Sequence, residues 1–285
     1  MRGFSAEARR KNQTIALVPT MGFLHEGHLS LIRIGKGRCD IAVVSSYVNP
    51  TQFGPGEDLA SYPRDSERDR RLCEKEGTDI LFRPETGEMY AQDNSTWVDE
   101  ADLSRGLCGR LRPGHFRGVT TVVAKLFNIV LPHVAVFGQK DAQQVCVVRR
   151  MTRDLCFPVE IVVAPIVREP DGLAMSSRNT YLSPGERKDA LCLFRALERA
   201  KDLYAEGQRD AGKIRQGMIE IVNRTPSAQI DYVEIVDFDT LTPVTCMEKT
   251  VLAAVAVKIG RTRLIDNVVI RPGAERPGLS LPPLP

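Results

Sequence analysis

The sequence predicts an α/β protein in which a helix-covered parallel sheet is followed by a smaller α+β domain. Between residues 14 and 167, short apolar runs alternate with segments of helical spacing. After about residue 176 the pattern changes to two helices followed by three strand-like runs. A length of 285 residues suits about two domains. We therefore predict domains at 1–174 and 175–285.

The strands of the first domain are Val- and Ile-rich runs of the kind that parallel sheets bury on both faces. They are predicted at 14–18, 40–48, 78–82, 133–137 and 159–167. Amphipathic spacing predicts helices between them at 28–38, 64–76, 119–130 and 141–154. In the second domain Pro184 begins a single helix over 184–206, and the remaining elements are a helix at 211–223 and strands at 230–236, 251–259 and 263–270.

Composition narrows the possible partners. The formal net charge of +3 does not favour a nucleic-acid binder, which usually has a strongly basic face. No apolar run reaches the roughly 18 residues that a membrane span requires. Seven scattered cysteines without a C-x-x-C pair argue against a disulfide framework and a structural zinc site. We expect a cytoplasmic protein that binds neither nucleic acid nor membrane.

The first segment with chemical meaning, residues 19–28, joins a strand end to a helix start, where parallel sheets bind ligands. The helix offers free N–H groups to an anion, and His25 and His28 lie on its first turn. Three alternatives compete with an anion site. The spacing from Gly22 to Gly27 imitates a P-loop but lacks its Lys, a metal site would need more ligands, and the histidines could simply cap the helix.

Two further segments add polar and basic groups. Residues 48–53 follow the next strand, and Asn49 and Gln52 suit either a polar substrate or an Asn-Pro turn. Residues 112–118 carry Arg112, His115 and Arg117 just before a helix, which suits an anion or a solvated basic loop.

The last two segments lie at 137–144 and 171–179. Lys140 offers a point charge to a phosphate, Asp141 suits a helix cap, and Gln144 lies one turn later. Ser176, Ser177 and Arg178 suit a phosphate-binding loop or a plain linker. From these residues alone we expect a nucleotide-dependent transferase or ligase, in whose cleft six groups meet: His25, His28, Arg112, Arg117, Lys140 and Arg178.

The five segments, in this order, resemble the pantoate–β-alanine ligase family. The resemblance spans about residues 14–270. It implies a Rossmann-like N-terminal domain, a smaller C-terminal lid domain, and a homodimer. It also implies that (R)-pantoate and β-alanine are condensed with ATP and Mg²⁺ through a pantoyl adenylate, with release of pyrophosphate and AMP. A different enzyme of the wider HxGH nucleotidyltransferase superfamily and an inactive nucleotide-binding protein are the alternatives.

The resemblance also implies residue roles. It assigns catalysis to His28, His25, Lys140 and Arg178. It assigns substrate binding to Gln52, Gln144, Asn49, Arg112 and His115, and leaves the metal ligands unknown. It assigns ATP binding to Met21, Gly22, Phe23, Leu24, His25, Glu26, Gly27, His28, Gly138, Gln139, Lys140, Asp141, Val167, Met175, Ser176, Ser177 and Arg178.

Both ends of the chain depart from the family pattern. The segment before the first strand looks short, so we expect the family's N-terminal helix to be trimmed. The Pro- and Gly-rich tail from residue 272 has no clear counterpart and is expected to be poorly ordered.

Overall fold

The computed structural model describes residues 1–273, which form two compact units. The first unit comprises Met1–Arg105, Arg112–Gly138 and Gln144–Ala164. The second comprises Gly106–Leu111, Gln139–Gln143 and the described residues from Pro165 onward. This division falls ahead of the boundary predicted at 174/175. Most of the tail expected to be poorly ordered lies outside the described residues.

The first unit contains a five-stranded parallel sheet in the order β3-β2-β1-β4-β5. The chain leaves β1 in one direction for β2 and β3, and returns on its other side with β4 and β5. The carboxyl ends of β1 and β4 therefore flank the topological switch point, where such sheets bind ligands. The strands are β1 Ile15–Thr20, β2 Ile41–Ser46, β3 Ile80–Phe82, β4 Val134–Gly138 and β5 Glu160–Ala164.

Helices accompany this sheet because their apolar stripes are buried. Leu29, Leu31 and Ile32 of α2 join Val18 of β1 and Val136 of β4 in one apolar cluster. The helices that begin in this unit are α1 Arg2–Arg10, α2 Glu26–Lys36, α3 Ser66–Lys75, α4 Thr86–Met89 and α6 His115–Val130, and α7 Ala142–Asp154 lies in it from Gln144.

The second unit contains a three-stranded antiparallel sheet in the order β6-β7-β8. Its core includes Leu193 and Leu197 of α9, Met218 of α10 and Val255 of β7. The regular elements are α5 Leu107–Leu111, α8 Pro184–Asp189, α9 Leu191–Ala205, α10 Ala211–Asn223, β6 Ala228–Asp237, β7 Val251–Ile259 and β8 Thr262–Ile270.

This architecture confirms the predicted fold class, but one prediction about an element is wrong. The helix predicted over 184–206 is divided at Ala190 into α8 and α9. Ser183 caps α8 reciprocally with Glu186, and this short helix ends before the apolar face of α9 begins.

The segment before β1 forms helix α1, and the expectation that this helix is trimmed relative to the family stays a prediction. Lys11 pairs with Glu7 across one turn, and Ala8 is buried. The Arg9 guanidinium donates two hydrogen bonds, at 3.2 and 2.9 Å, to the carbonyl of Leu131 at the end of α6. Between residues 1 and 273, no helix has both the length and the apolarity to cross a bilayer.

A close approach between α6 and the turn after β2 shapes the first unit. The turn is a short 3-10 helix, Pro50–Gln52, and the Asn49 amide donates to the carbonyl of Gly118 at 3.1 Å. A Cβ at Gly118 would lie 2.4 Å from the carbonyl oxygen of Thr51. Only glycine therefore allows α6 to pack so closely on this turn.

We predict that Gly118→Ala lowers the free energy of unfolding by about 2–3 kcal/mol, because backbone rather than a flexible side chain opposes the new methyl group. Urea denaturation measures this change. Gly185→Ala in α8 is the control, because its Cβ would have open space among the described residues. Equal stability of Gly118→Ala and the wild-type protein would contradict the packing argument.

Candidate active site

The loop between β1 and α2 carries the predicted histidines and is tightly ordered. Gly22 and Phe23 have positive φ values of 75° and 50°. The Thr20 hydroxyl donates to the Ser45 carbonyl at 2.7 Å and accepts from the Gly22 N–H at 3.1 Å. A Cβ at Gly22 would lie 2.7 Å from the Ser46 hydroxyl, so the position requires glycine for both conformation and space.

A buried carboxylate that sequence reasoning missed fixes this loop. Asp69 of α3 is only 2% exposed and accepts from the N–H groups of Phe23 at 2.8 Å and Leu24 at 2.7 Å. Its neighbour Arg68 donates to the Leu24 carbonyl at 2.8 Å, and its guanidinium lies 5.3 Å from the Phe23 ring centroid. Helix α3 therefore holds the chain immediately before His25.

His25 is the N-cap of α2, and the two histidines are in contact. The backbone N–H of His25 donates to Nδ1 of His28 at 3.3 Å, and their ring centroids are 4.0 Å apart. A neutral His28 thus carries its proton on Nε2. The capping alternative is therefore correct as local structure. The Nε2–H of a neutral His28 remains a hydrogen-bond donor.

A second group of predicted residues surrounds Gln52, which is 8% exposed. Its carbonyl accepts from Arg112 at 3.1 Å and lies 2.8 Å from Nδ1 of His115. Arg112 also lies 3.1 Å from Nε2 of His115, which makes Nε2 the acceptor and Nδ1–H the donor to Gln52. Asn49 accepts from the Thr51 N–H and hydroxyl, so its side chain holds the same turn.

The cations of this region are paired within the first unit. Arg112 forms a two-point ion pair with Glu57 at 2.5 and 2.7 Å. Burial is the largest single influence on Glu57 and would raise its pKa. The hydrogen bonds and charge of Arg112, together with His115 and the Gly54 backbone, outweigh it and hold this pKa below its ordinary value. Arg117 forms an exposed pair with Asp99, and Glu26 pairs with Arg33. The sequence shows the charges but not these partners.

In the second unit, Gln139–Asp141 forms a 3-10 turn that directly precedes α7. The Lys140 ammonium lies 3.3 Å from the Asp141 carboxylate. The Gln143 amide accepts from the Cys108 N–H at 2.9 Å and donates to the Gly106 carbonyl at 2.8 Å. Gln143 therefore has a structural role. Gly138, at the end of β4, and the half-buried Gln144 belong to the first unit.

The last predicted segment of the second unit is a hairpin followed by a short helical turn. The Met175 N–H donates to the Val167 carbonyl at 3.0 Å, so these two residues lie opposite each other. The Ser176 hydroxyl accepts from the Arg178 N–H at 3.3 Å and caps the turn Ser177–Tyr181. Ser177 is buried and Arg178 is half-buried.

The predicted site residues thus lie in four groups, two in the first unit and two in the second. Those in the first unit are the loop of His25 and His28 and the turn of Gln52. Those in the second are the turn of Lys140 and the segment from Val167 to Arg178. Within residues 1–273, no three His, Cys, Asp or Glu side chains form a group that could hold a metal ion.

Comparison with known proteins decides the family, since the family model for Pantoate-beta-alanine ligase matches residues 1–269. The chain belongs to the pantoate–β-alanine ligase family. It is 60% identical over 270 residues to a pantothenate synthetase of Thermotoga petrophila, covering 95% of this chain and 96% of the relative. The protein is therefore an AMP-forming ligase that condenses pantoate with β-alanine at the expense of ATP, through the adenylate intermediate of its family.

Solved structures of pantoate–β-alanine ligases agree. A pantothenate synthetase from Thermus thermophilus superposes with a TM-score of 0.88 at 46% identity, covering 93% of this chain and 96% of that one. A pantoate–β-alanine ligase from Francisella tularensis, complexed with β-γ ATP and β-alanine, has a TM-score of 0.75 at 31% identity and 93% coverage of both chains.

We predict that Asp69→Ala impairs the ligase without removing any substrate contact assigned above. The change leaves two N–H groups unsatisfied and releases a loop with positive φ values, which costs about 2–4 kcal/mol of stability. Because this loop positions His25 and His28, turnover should fall by about 10- to 100-fold. Steady-state kinetics below the unfolding temperature measures this loss.

The matched control is Asp65→Ala. Asp65 caps the same helix through the Arg68 N–H and does not bond the loop. Its loss should cost about 1 kcal/mol and leave turnover intact. Equal turnover of the two variants would refute the positioning role of Asp69.

Proposed function

We propose that His28, His25, Lys140 and Arg178 stabilise the charge that develops when the pantoate carboxylate attacks the α-phosphorus of ATP. The carboxylate is ionised at neutral pH, so this step needs no strong base. A bond forms between a carboxylate oxygen and the phosphorus as the bond to pyrophosphate breaks. The amine of β-alanine then attacks the pantoyl carbonyl, loses a proton and displaces AMP. Placement and electrostatic stabilisation therefore supply most of the catalysis.

The observation that supports His28 most strongly is its ring orientation. Nδ1 accepts from the His25 N–H, so the neutral ring presents Nε2–H as a hydrogen-bond donor. A donor suits an α-phosphate that gains charge and a pyrophosphate that leaves with it. His25, whose ring is 4.0 Å away, assists at the phosphates.

The nucleotide-binding role extends to backbone as well as side chains. Residues 21–28 offer N–H groups at a helix start, which suits phosphate oxygens. In the second unit, Lys140 contributes a point charge and Arg178 a planar guanidinium. Val167, Met175, Ser176, Ser177 and Gly138–Asp141 complete the proposed ATP contacts.

Recognition of pantoate and β-alanine is proposed for Gln52 and Gln144, because amides bind hydroxyl and carboxylate groups without adding charge. Asn49, Arg112 and His115 serve the substrate site through Gln52. Their hydrogen bonds to its turn, at 2.8–3.3 Å, hold the main chain from which the Gln52 side chain extends.

Mg²⁺ is proposed to accompany ATP. In ATP sites the ion is held mostly by phosphate oxygens and water, with one or two carboxylates. Asp141 fits this requirement, because its side chain is 46% exposed beside Lys140. When bound, the ion neutralises phosphate charge. Scattered cysteines without a C-x-x-C pair support a cytoplasmic location. The family supports a homodimer, for which sedimentation equilibrium should give twice the chain mass of 31.6 kDa.

We predict that His28→Ala lowers the rate of AMP formation by at least about 10²-fold, because it removes a donor to the charged transition state. AMP is measured with pantoate, β-alanine and ATP together, and should appear only when all three are present. Lys140→Ala should give a loss of similar size.

The control for the lysine is Lys201→Ala. Lys201 of α9 is 29% exposed and pairs with Glu198 on the same helix. It is buried to a similar extent as Lys140 but does not lie on the Gln139–Asp141 turn. Wild-type rates in a folded His28→Ala or Lys140→Ala variant would remove the role proposed for that residue.

A further inference from the structure

Two adjacent polar residues of β8, Asp266 and Asn267, are buried without belonging to any predicted site. They are 3% and 4% exposed, an unusual burial for a carboxylate and an amide. Successive side chains of a strand point to opposite faces, so the two residues serve different neighbours. Both sets of neighbours belong to the second unit.

Asn267 binds the turn that carries Lys140. Its amide nitrogen donates to the carbonyls of Gln139 at 3.0 Å and Lys140 at 2.9 Å. Its amide oxygen lies 3.3 Å from the amide nitrogen of Gln139. One side chain thus makes three hydrogen bonds to two successive residues, which are 127 or more positions away in the sequence.

Asp266 points to the opposite face of β8 from Asn267 and anchors the strand there. Arg168 donates to its two oxygens at 2.7 and 3.0 Å, and also to the Gly172 carbonyl at 2.9 Å. The Arg168 guanidinium lies 5.0 Å from the ring centroid of Phe194 in α9. The strand that bears Asn267 is therefore fixed by an ion pair, a hairpin and a helix.

We propose that Asn267 is a positioning residue that fixes the Lys140 turn for adenylation. The inference rests on the proposed contact of Lys140 with the ATP phosphates. A lysine side chain is long and flexible, so its placement depends on a fixed backbone. The peptide groups of Gln139 and Lys140 determine the direction in which the Lys140 side chain points, and Asn267 binds the carbonyls of both. Rates of group transfer fall steeply when a charge is misplaced by about 1 Å.

A purely structural role is the competing explanation, and a double-mutant cycle separates the two. The reaction is single-turnover formation of pantoyl adenylate from ATP and pantoate without β-alanine. Its rate is measured by the release of pyrophosphate. The variants are Asn267→Leu, Lys140→Ala and the double variant. Asn267→Leu should lower the rate by about 10- to 100-fold. If Asn267 acts through Lys140, the double variant should match Lys140→Ala within about threefold.

Two further variants control for folding. Val269 lies on the same strand and is buried, and its side chain is apolar and makes no hydrogen bond to the turn. Val269→Ala should therefore keep the wild-type rate even where its melting temperature falls as far as that of Asn267→Leu. Asn267→Asp keeps the size and the acceptor oxygen but removes both donors. It should lose rate as Asn267→Leu does.

Each outcome has a defined meaning. Independent, multiplicative losses in the double variant would overturn the positioning role, as would a wild-type rate for Asn267→Asp or an equal loss for Val269→Ala. Full activity of Lys140→Ala would refute the proposed role of Lys140, and the inference with it. Loss in Lys140→Ala with an unimpaired Asn267→Leu would refute the inference alone.

Discussion

The carboxylate of Asp69 makes the interaction on which the first unit's candidate site depends. It binds two successive N–H groups of the loop that leads into His25. Phe23 has a φ of 50°, which costs a residue with a Cβ about 1–3 kcal/mol. Each hydrogen bond to a charged group contributes about 1.5–3 kcal/mol, so the two bonds offset the strain. The start of α2, and with it the direction of both histidines, follows from a residue of α3.

The same arrangement recurs at the other candidate segments. Arg112 and His115 bind the backbone carbonyl of Gln52, and Asn267 binds the carbonyls of Gln139 and Lys140. In each case a partly or fully buried polar side chain holds a short turn by its main chain. Side chains that look like substrate ligands in the sequence therefore divide into groups suited to bind substrate and groups that hold those in place.

The sequence was informative where structure follows from local periodicity. The eight strands within residues 1–273 were all predicted, because apolar runs bounded by turn residues have few alternatives. The break at Ala190 was missed because this residue is nearly helical, with φ of −57° and ψ of −21°, so the apolar spacing continues across it. Helix α1 was missed because it buries little beyond Ser5 and Ala8, which leaves almost no apolar stripe to detect.

The anchors of the candidate site could not be read from the sequence for a different reason. Asp69 is 46 positions from Phe23, Glu57 is 55 from Arg112, and Asn267 is 128 from Gln139. No period relates such pairs, and a charged residue on a helix face resembles a solvated one until burial is known. The chain has a small net charge, and cations such as Arg112 have carboxylate partners that neutralise them. An anionic substrate is then selected by where a few cations and N–H groups are held, and that placement depends on long-range hydrogen bonds to the main chain.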